Sequence, residues 1–66
     1  MKFNTKLIDI AGNTKLADVV DAPNENSAIA VLIAKLHNIT PKLIGDFDMR
    51  EIASRSQLTA QVEIIK

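Results

Sequence analysis

The stretch NENSAIAVLIAKLHNIT constrains the fold more than any other part of the chain, because it encodes a helix that carries very few polar groups. Asn24 or Asn26 can cap the start of this helix by accepting hydrogen bonds from its free backbone amides. At the other end, Asn38 can adopt the left-handed conformation that terminates a helix, and Pro41 forbids continuation. These signals predict a helix from about Glu25 to His37.

The large apolar side chains of this helix fall in one stripe at 3.6 residues per turn. That stripe, the predicted core face, consists of Ile29, Leu32, Ile33 and Leu36. The rest of the circumference is small rather than polar, and it holds Ala28, Ala30, Val31 and Ala34 beside Ser27, Lys35 and His37. A second covering surface is therefore expected over the small side.

Self-association could supply a surface that covers the small side of the helix. The chain has 66 residues, and a core of that size rarely contributes more than roughly 3 to 5 kcal/mol. It has no cysteine for a disulfide or a thiolate metal site. We therefore predict a homodimer with a helix-to-helix seam formed by Ser27, Ala30, Val31 and Ala34. The alternative is that these alanines are exposed, since alanine is the best helix former.

Strand patterns flank the predicted helix. Residues 2–11 and 14–22 are strand-like runs around Gly12-Asn13, a pair that favours a β-hairpin because both types tolerate positive φ. Near the end of the chain, apolar and polar residues alternate, which is typical of a strand with one buried face. The inward candidates on these strands are Phe3, Thr5, Leu7, Leu16, Val20, Leu58, Ala60, Val62 and Ile64.

Residues 41–55 fit neither the helical nor the strand period well. Gly45, Asp46 and Asp48 suggest a loop, and a strand over about Phe47–Ala53 is the preferred interpretation, with SRSQ as a turn. Helix remains the alternative for this segment. The preferred order is β-β-α-β-β, an α+β fold in which one central helix packs on an antiparallel sheet of two hairpins. Residues 1–66 would form a single small domain.

The sequence predicts no catalytic residue, no cofactor, no metal and no identifiable small-molecule substrate. A histidine in the last turn of a helix, as His37 would be, usually complements the helix dipole rather than acting as a base. Asp46-Phe47-Asp48 resembles the start of a calcium loop, but the remaining ligands are missing at the required offsets. Gly12 and Gly45 stand alone and make no phosphate loop. We therefore expect a protein that is not an enzyme.

A DNA-binding regulator is the alternative function, with residues 28–47 as a helix-turn-helix. In that arrangement Asn38 and Ile39 form the turn, and Thr40 and Lys42 are the DNA contacts. The acidic residues that follow and the formal net charge of zero disfavour nucleic acid. The two phenylalanines are the only aromatic residues, too few for a sheet on which RNA bases stack.

The leading hypothesis is a small non-enzymatic protein-protein interaction or regulatory module, expected to be homodimeric and cytoplasmic. Its partner would be another protein or a second copy of the chain. The last strand, QLTAQVEIIK, is a candidate sheet edge for strand addition. No membrane association is expected, because the longest apolar run, AIAVLIA, is far shorter than the roughly 20 residues that span a bilayer.

Overall fold

The computed structural model describes residues 1–40 and 47–65. Over these residues the chain forms three strands and two helices: β1 Lys2–Asp9, β2 Thr14–Asp21, α1 Glu25–His37, α2 Met49–Arg55 and β3 Leu58–Ile65. The sheet is antiparallel with the order β2-β1-β3. The predicted α+β class is confirmed. The predicted order β-β-α-β-β is wrong, because the described elements follow the order β-β-α-α-β.

The first hairpin is confirmed, and Asp9 holds its turn. Ala11 N–H and Asn13 N–H both donate to Asp9 Oδ1, at 3.0 and 2.8 Å. Gly12 N–H donates to Asp9 O at 3.0 Å. Gly12 has a φ of +87°, a backbone conformation that residues other than glycine rarely adopt. The connection therefore brings β1 and β2 together by short-range hydrogen bonds.

Helix α1 begins and ends at the predicted residues, and its caps explain why. Ser27 N–H donates to Asn24 Oδ1 at 2.8 Å, which satisfies one free amide of the first turn. Asn38 is left-handed, with φ 57° and ψ 47°. Ile39 N–H then donates back to Ala34 O at 2.9 Å and closes the last turn.

The predicted strand over Phe47–Ala53, and with it the second hairpin, is wrong, because α2 occupies most of that segment. Asp48 caps α2 by accepting hydrogen bonds from Arg50 N–H at 3.1 Å and Glu51 N–H at 3.4 Å. Met49 and Ala53 lie four residues apart and are both buried, which is the spacing of one helix face. The last strand therefore pairs with β1, not with a hairpin partner of its own.

Both helices pack on the same face of the sheet. The buried residues of the strands face the helices and form one core cluster with the inner residues of α1 and α2. That cluster contains Phe3, Leu7, Val20, Ala22, Ala28, Ile29, Ala30, Leu32, Ile33, Met49, Ala53 and Ala60. Most of the inward candidates named from the sequence are therefore buried. Leu36 is an exception, because it lies at the end of α1 with 40% of its surface exposed.

The small side of α1 is covered within the chain. Ala30 and Ala34 are only 2% and 1% exposed, and Ala30 belongs to the same cluster as Met49 and Ala53 of α2. These two alanines have no surface left to offer a second chain, so the predicted helix-to-helix seam cannot form through them while the fold is intact. The second cover that the sequence requires for α1 comes from α2.

Thr5 is a polar residue at the centre of the core face of β1. It is fully buried, and its hydroxyl has no hydrogen-bond partner among the described residues. An unsatisfied buried hydroxyl costs about 1 to 3 kcal/mol, whereas an apolar group of the same shape in its place can stabilise a protein.

We expect Thr5→Val to raise the free energy of unfolding by about 1 kcal/mol. The matched control is Thr59→Val, on the exposed side of β3, which should change it by less than about 0.5 kcal/mol. Urea unfolding of both variants and the original chain measures this difference. A loss of stability in Thr5→Val alone would mean that the hydroxyl has a hydrogen-bond partner.

Candidate functional site

The two edges of the sheet are the surfaces that bear on binding, and the hydrogen-bond pattern shows which backbone groups point outward. Pairs in an antiparallel ladder alternate between bonded and non-bonded. Ala22 N–H donates to Met1 O at 2.8 Å, so in the β1–β2 register Thr5 and Asp18 also form a bonded pair. The backbone N–H and C=O of Lys6, the next residue along β1, then point towards β3. The N–H and C=O groups that point away from β1 are therefore those of Ala17, Val19 and Asp21 on β2, and of Leu58, Ala60, Val62 and Ile64 on β3.

The β2 edge is blocked in part. Val19 N–H, which points outward, donates to Asp18 Oδ1 at 2.8 Å, and Lys35 of α1 donates to the other oxygen of the same carboxylate. The register shifts between Leu7 and Ile8, which leaves Lys15 as an extra residue in a bulge. A capped amide, a bulge and a lysine are devices by which natural sheets prevent edge pairing.

The contact between Lys35 and Asp18 also makes a pH-dependent contribution to stability. The hydrogen bond from Lys35, followed by that from Val19 N–H, lowers the pKa of the Asp18 carboxyl below its ordinary value of 3.8. Because the folded-state pKa is lowered, the stabilisation from the ionised carboxylate is present above pH 3.8 and is lost as the pH falls through the lowered pKa. Both partners are about half exposed, so this contribution to stability is small.

The first half of the β3 edge is blocked as well. Arg50 Nη1 donates to Ala60 O at 3.0 Å, and Arg50 Nη2 donates to Glu25 Oε2 at 3.3 Å. The guanidinium therefore occupies an outward carbonyl of β3 and is held in place by the first turn of α1. An added strand could not use the Ala60 carbonyl while this contact is intact.

The second half of the β3 edge is open. Over the described part of the chain, no side chain bonds to the outward backbone groups of Val62 and Ile64. The apolar side chains at this end of the strand are also uncovered, since Ile64 is 45% and Ile65 is 44% exposed. Residues Val62–Ile65 therefore combine free backbone groups with exposed apolar surface, and we refer to them as the open edge.

The structure does not bring the sequence-derived site residues together as one exposed surface. Ser27 and Val31 are half-buried on α1, whereas Ala30 and Ala34 are buried. Thr40, the first of the two DNA contacts, is exposed, and Lys42 lies outside the described residues, as does most of the second helix of the helix-turn-helix. The DNA-binding alternative therefore stays a prediction. The last strand was named from the sequence as a candidate sheet edge. The side chains that occupy the Val19 N–H and the Ala60 carbonyl were not predicted.

A shallow groove lies on α2 between Phe47, Asp48, Glu51, Ile52 and Arg55. Its volume of about 250 Å³ is below the roughly 300 to 1,000 Å³ of sites for small molecules. Within residues 1–40 and 47–65 there is no group of three or more potential metal ligands. The uncovered face of the sheet does not carry Phe3, which is buried on the opposite face.

Comparison of the chain with protein-family models, with curated proteins and with solved structures returned no match. Neither α1 nor α2 is long and apolar enough to cross a membrane.

Proposed function

We propose that this chain is a small non-enzymatic protein-interaction module that binds an extended strand at the open edge, Val62–Ile65. A single observation carries the proposal: the Val19 N–H and the Ala60 carbonyl are occupied by side chains, whereas no side chain of the described residues bonds to the outward backbone groups of Val62 and Ile64. A second copy of the chain can supply the added strand, which is one form of the homodimer expected from the sequence. A cytoplasmic location stays a prediction.

Strand addition fits the chemistry of this surface. In this mode of recognition the main-chain hydrogen bonds give affinity, and alternate side chains of the added strand give specificity. The open edge offers both kinds of contact. Its outward N–H and C=O groups can pair with an added strand, and Ile64 and Ile65 present apolar side chains on opposite faces. An exposed edge of this kind is ordinarily avoided in sheets that have no strand to bind.

The test uses a soluble octapeptide of alternating Val and Thr with Lys at each end, titrated into the isotope-labelled chain. We expect the backbone amide signals of Val62–Ile65 to shift. Those of Ala17 and Val19 should stay in place, because Asp18 caps the Val19 N–H and a bulge interrupts the β2 edge. Two-dimensional NMR spectra measure both sets together.

Val62→Pro is the matched variant, because it removes an outward N–H without removing a ladder hydrogen bond to β1. It should keep the fold and abolish the shifts. Val19→Pro, which removes an outward N–H on the other edge, should leave the peptide response intact. Shifts that persist in Val62→Pro, or that fall on β2, would rule out the open edge as the binding site.

A further inference from the structure

The open edge stops at an arginine side chain. Arg50 Nη1 donates to Ala60 O at 3.0 Å, in the position where a backbone N–H of an added strand would otherwise donate. Outward groups recur at every second residue, so Val62 is the last residue before this contact whose N–H and C=O can both pair with an added strand. An added strand that follows the edge from Ile64 must therefore end, or turn away, just past Val62.

The direction of the added strand decides which of its ends meets Arg50. Both pairings in the described sheet are antiparallel, and antiparallel ladders are slightly more stable per residue than parallel ones. An antiparallel strand beside β3 runs from the level of Ile65 towards that of Ala60, so its carboxyl end arrives at the guanidinium. A chain that terminates there brings a negative charge to a positive one.

We propose that the open edge binds the C-terminal strand of a partner protein, with its last residue opposite Val62 and its terminal carboxylate on Arg50. This inference rests on the proposed function, since it uses the same edge. In such a pair, one carboxylate oxygen accepts from Val62 N–H, and the other oxygen points along the edge towards the guanidinium. A guanidinium binds carboxylates through short, charge-assisted hydrogen bonds, because its planar fork matches their geometry.

Arg50 has donors left for this second carboxylate. A guanidinium has five N–H donors, and the contacts to the Ala60 carbonyl and to Glu25 Oε2 use two of them. The Arg50 side chain is 52% exposed, so an incoming anion can reach it. The ion pair with Glu25, at 3.3 Å and half exposed on both sides, orients the guanidinium but is weak enough for a second carboxylate to share it.

The side chains along the edge define the rest of the partner sequence. A strand residue opposite Ile64 lies on the same face as Ile64, and an apolar side chain there covers it. The next residue lies opposite Glu63, where a lysine brings opposite charges together. An apolar residue opposite Ile65 covers the other face. The partner class is therefore a C-terminal sequence of the type apolar-apolar-lysine-apolar with a free carboxylate.

Two peptides that differ only at the carboxyl terminus test the assignment. They are Lys-Thr-Lys-Thr-Val-Val-Lys-Val with a free carboxylate and the same sequence as an amide, each titrated into the isotope-labelled chain. Both should shift the amide signals of Val62–Ile65, and the acid should bind about five- to ten-fold more tightly at low salt, because hydrogen bonds between charged groups are the stronger ones. The chain has a formal net charge of zero, so the extra negative charge of the acid gains nothing from long-range attraction.

Arg50→Gln should remove this preference, so that both peptides bind with equal affinity. The matched control is Arg55→Gln on the same helix, since the Arg55 guanidinium bonds to Glu51 Oε1 at 3.1 Å, and it should keep the preference. Both arginines form exposed ion pairs, so both variants should remain folded. Glu25→Gln removes the competing carboxylate and should raise the preference for the acid above that of the original chain.

Equal binding of acid and amide to the original chain would overturn the terminal carboxylate as the ligand of Arg50. The edge would then take an internal segment of a strand, and the proposed strand-binding function would stand. A preference for the acid that survives in Arg50→Gln would place the carboxylate at another group and also overturn the inference. If neither peptide shifts Val62–Ile65, the proposed function is rejected together with it.

Discussion

Replacing Met49 with alanine should lower the free energy of unfolding by about 2 to 5 kcal/mol, because it empties a fully buried site between α2 and the rest of the core. A core of this size supplies only roughly 3 to 5 kcal/mol in total. We therefore expect the Met49→Ala chain to be largely unfolded at room temperature. Far-UV circular dichroism and thermal unfolding measure the loss.

Phe47→Ala is the matched control, because Phe47 lies two residues earlier and is 59% exposed. It removes more apolar atoms from the chain than Met49→Ala does, but few of them leave a packed environment. Its effect should be below about 1 kcal/mol. If instead Phe47→Ala were the more damaging variant, Phe47 rather than Met49 would fill the core beside α1, and the packing of α2 would be contradicted.

The ends of α1 could be predicted from the sequence because each end is determined by residues close to it. Asn24, Asn38 and Ile39 act on amides and carbonyls within a few positions. The first hairpin was predictable for the same reason, since Asp9 and Gly12 make its turn by local hydrogen bonds. Signals that operate within one turn can be interpreted without knowledge of the tertiary structure.

Helix α2 was missed because it is short. Seven residues give fewer than two full turns, so the apolar spacing of Met49, Ile52 and Ala53 cannot be distinguished from an irregular strand by its period alone. The local signal was nevertheless present. Asp48 followed three residues later by Glu51 has the spacing of a capping box, and Asp48 does cap the helix. That spacing should have outweighed the weak strand pattern.

The open edge could be predicted only in part. The alternation of the last strand indicated that it has one buried face, but which of its outward groups are free depends on residues far away in the sequence. Arg50 reaches Ala60 across ten positions, and Lys35 reaches Asp18 across seventeen. Contacts of this kind depend on how the helices lie against the sheet, and a single sequence does not specify that.

The prediction of an alanine seam followed from the missed helix. Without α2, the small side of α1 has no cover in the chain, and a second copy is the natural candidate. With α2 in place, Ala30 joins the cluster that contains Met49 and Ala53. The physical requirement inferred from the sequence, that this side of the helix be covered, was sound, but the cover lies within the same chain.

Ala30→Glu should therefore unfold the chain at any protein concentration. The substitution forces four additional heavy atoms, three of which form a carboxylate, into a site that is 2% exposed. An unpaired buried charge costs several kcal/mol, and overpacking adds about 1 to 3 kcal/mol. The sum exceeds the roughly 3 to 5 kcal/mol that a core of this size supplies.

Leu36→Glu is the control on the same helix, because Leu36 is 40% exposed and can place a carboxylate in water. It should remain folded, with a loss of about 1 kcal/mol or less. Circular dichroism at 10 µM and at 1 mM distinguishes the two explanations for Ala30. A seam between copies predicts a folded monomer for Ala30→Glu at the lower concentration, whereas burial inside one chain predicts unfolding at both. A folded, monomeric Ala30→Glu would restore the seam and contradict the packing of α1 against α2.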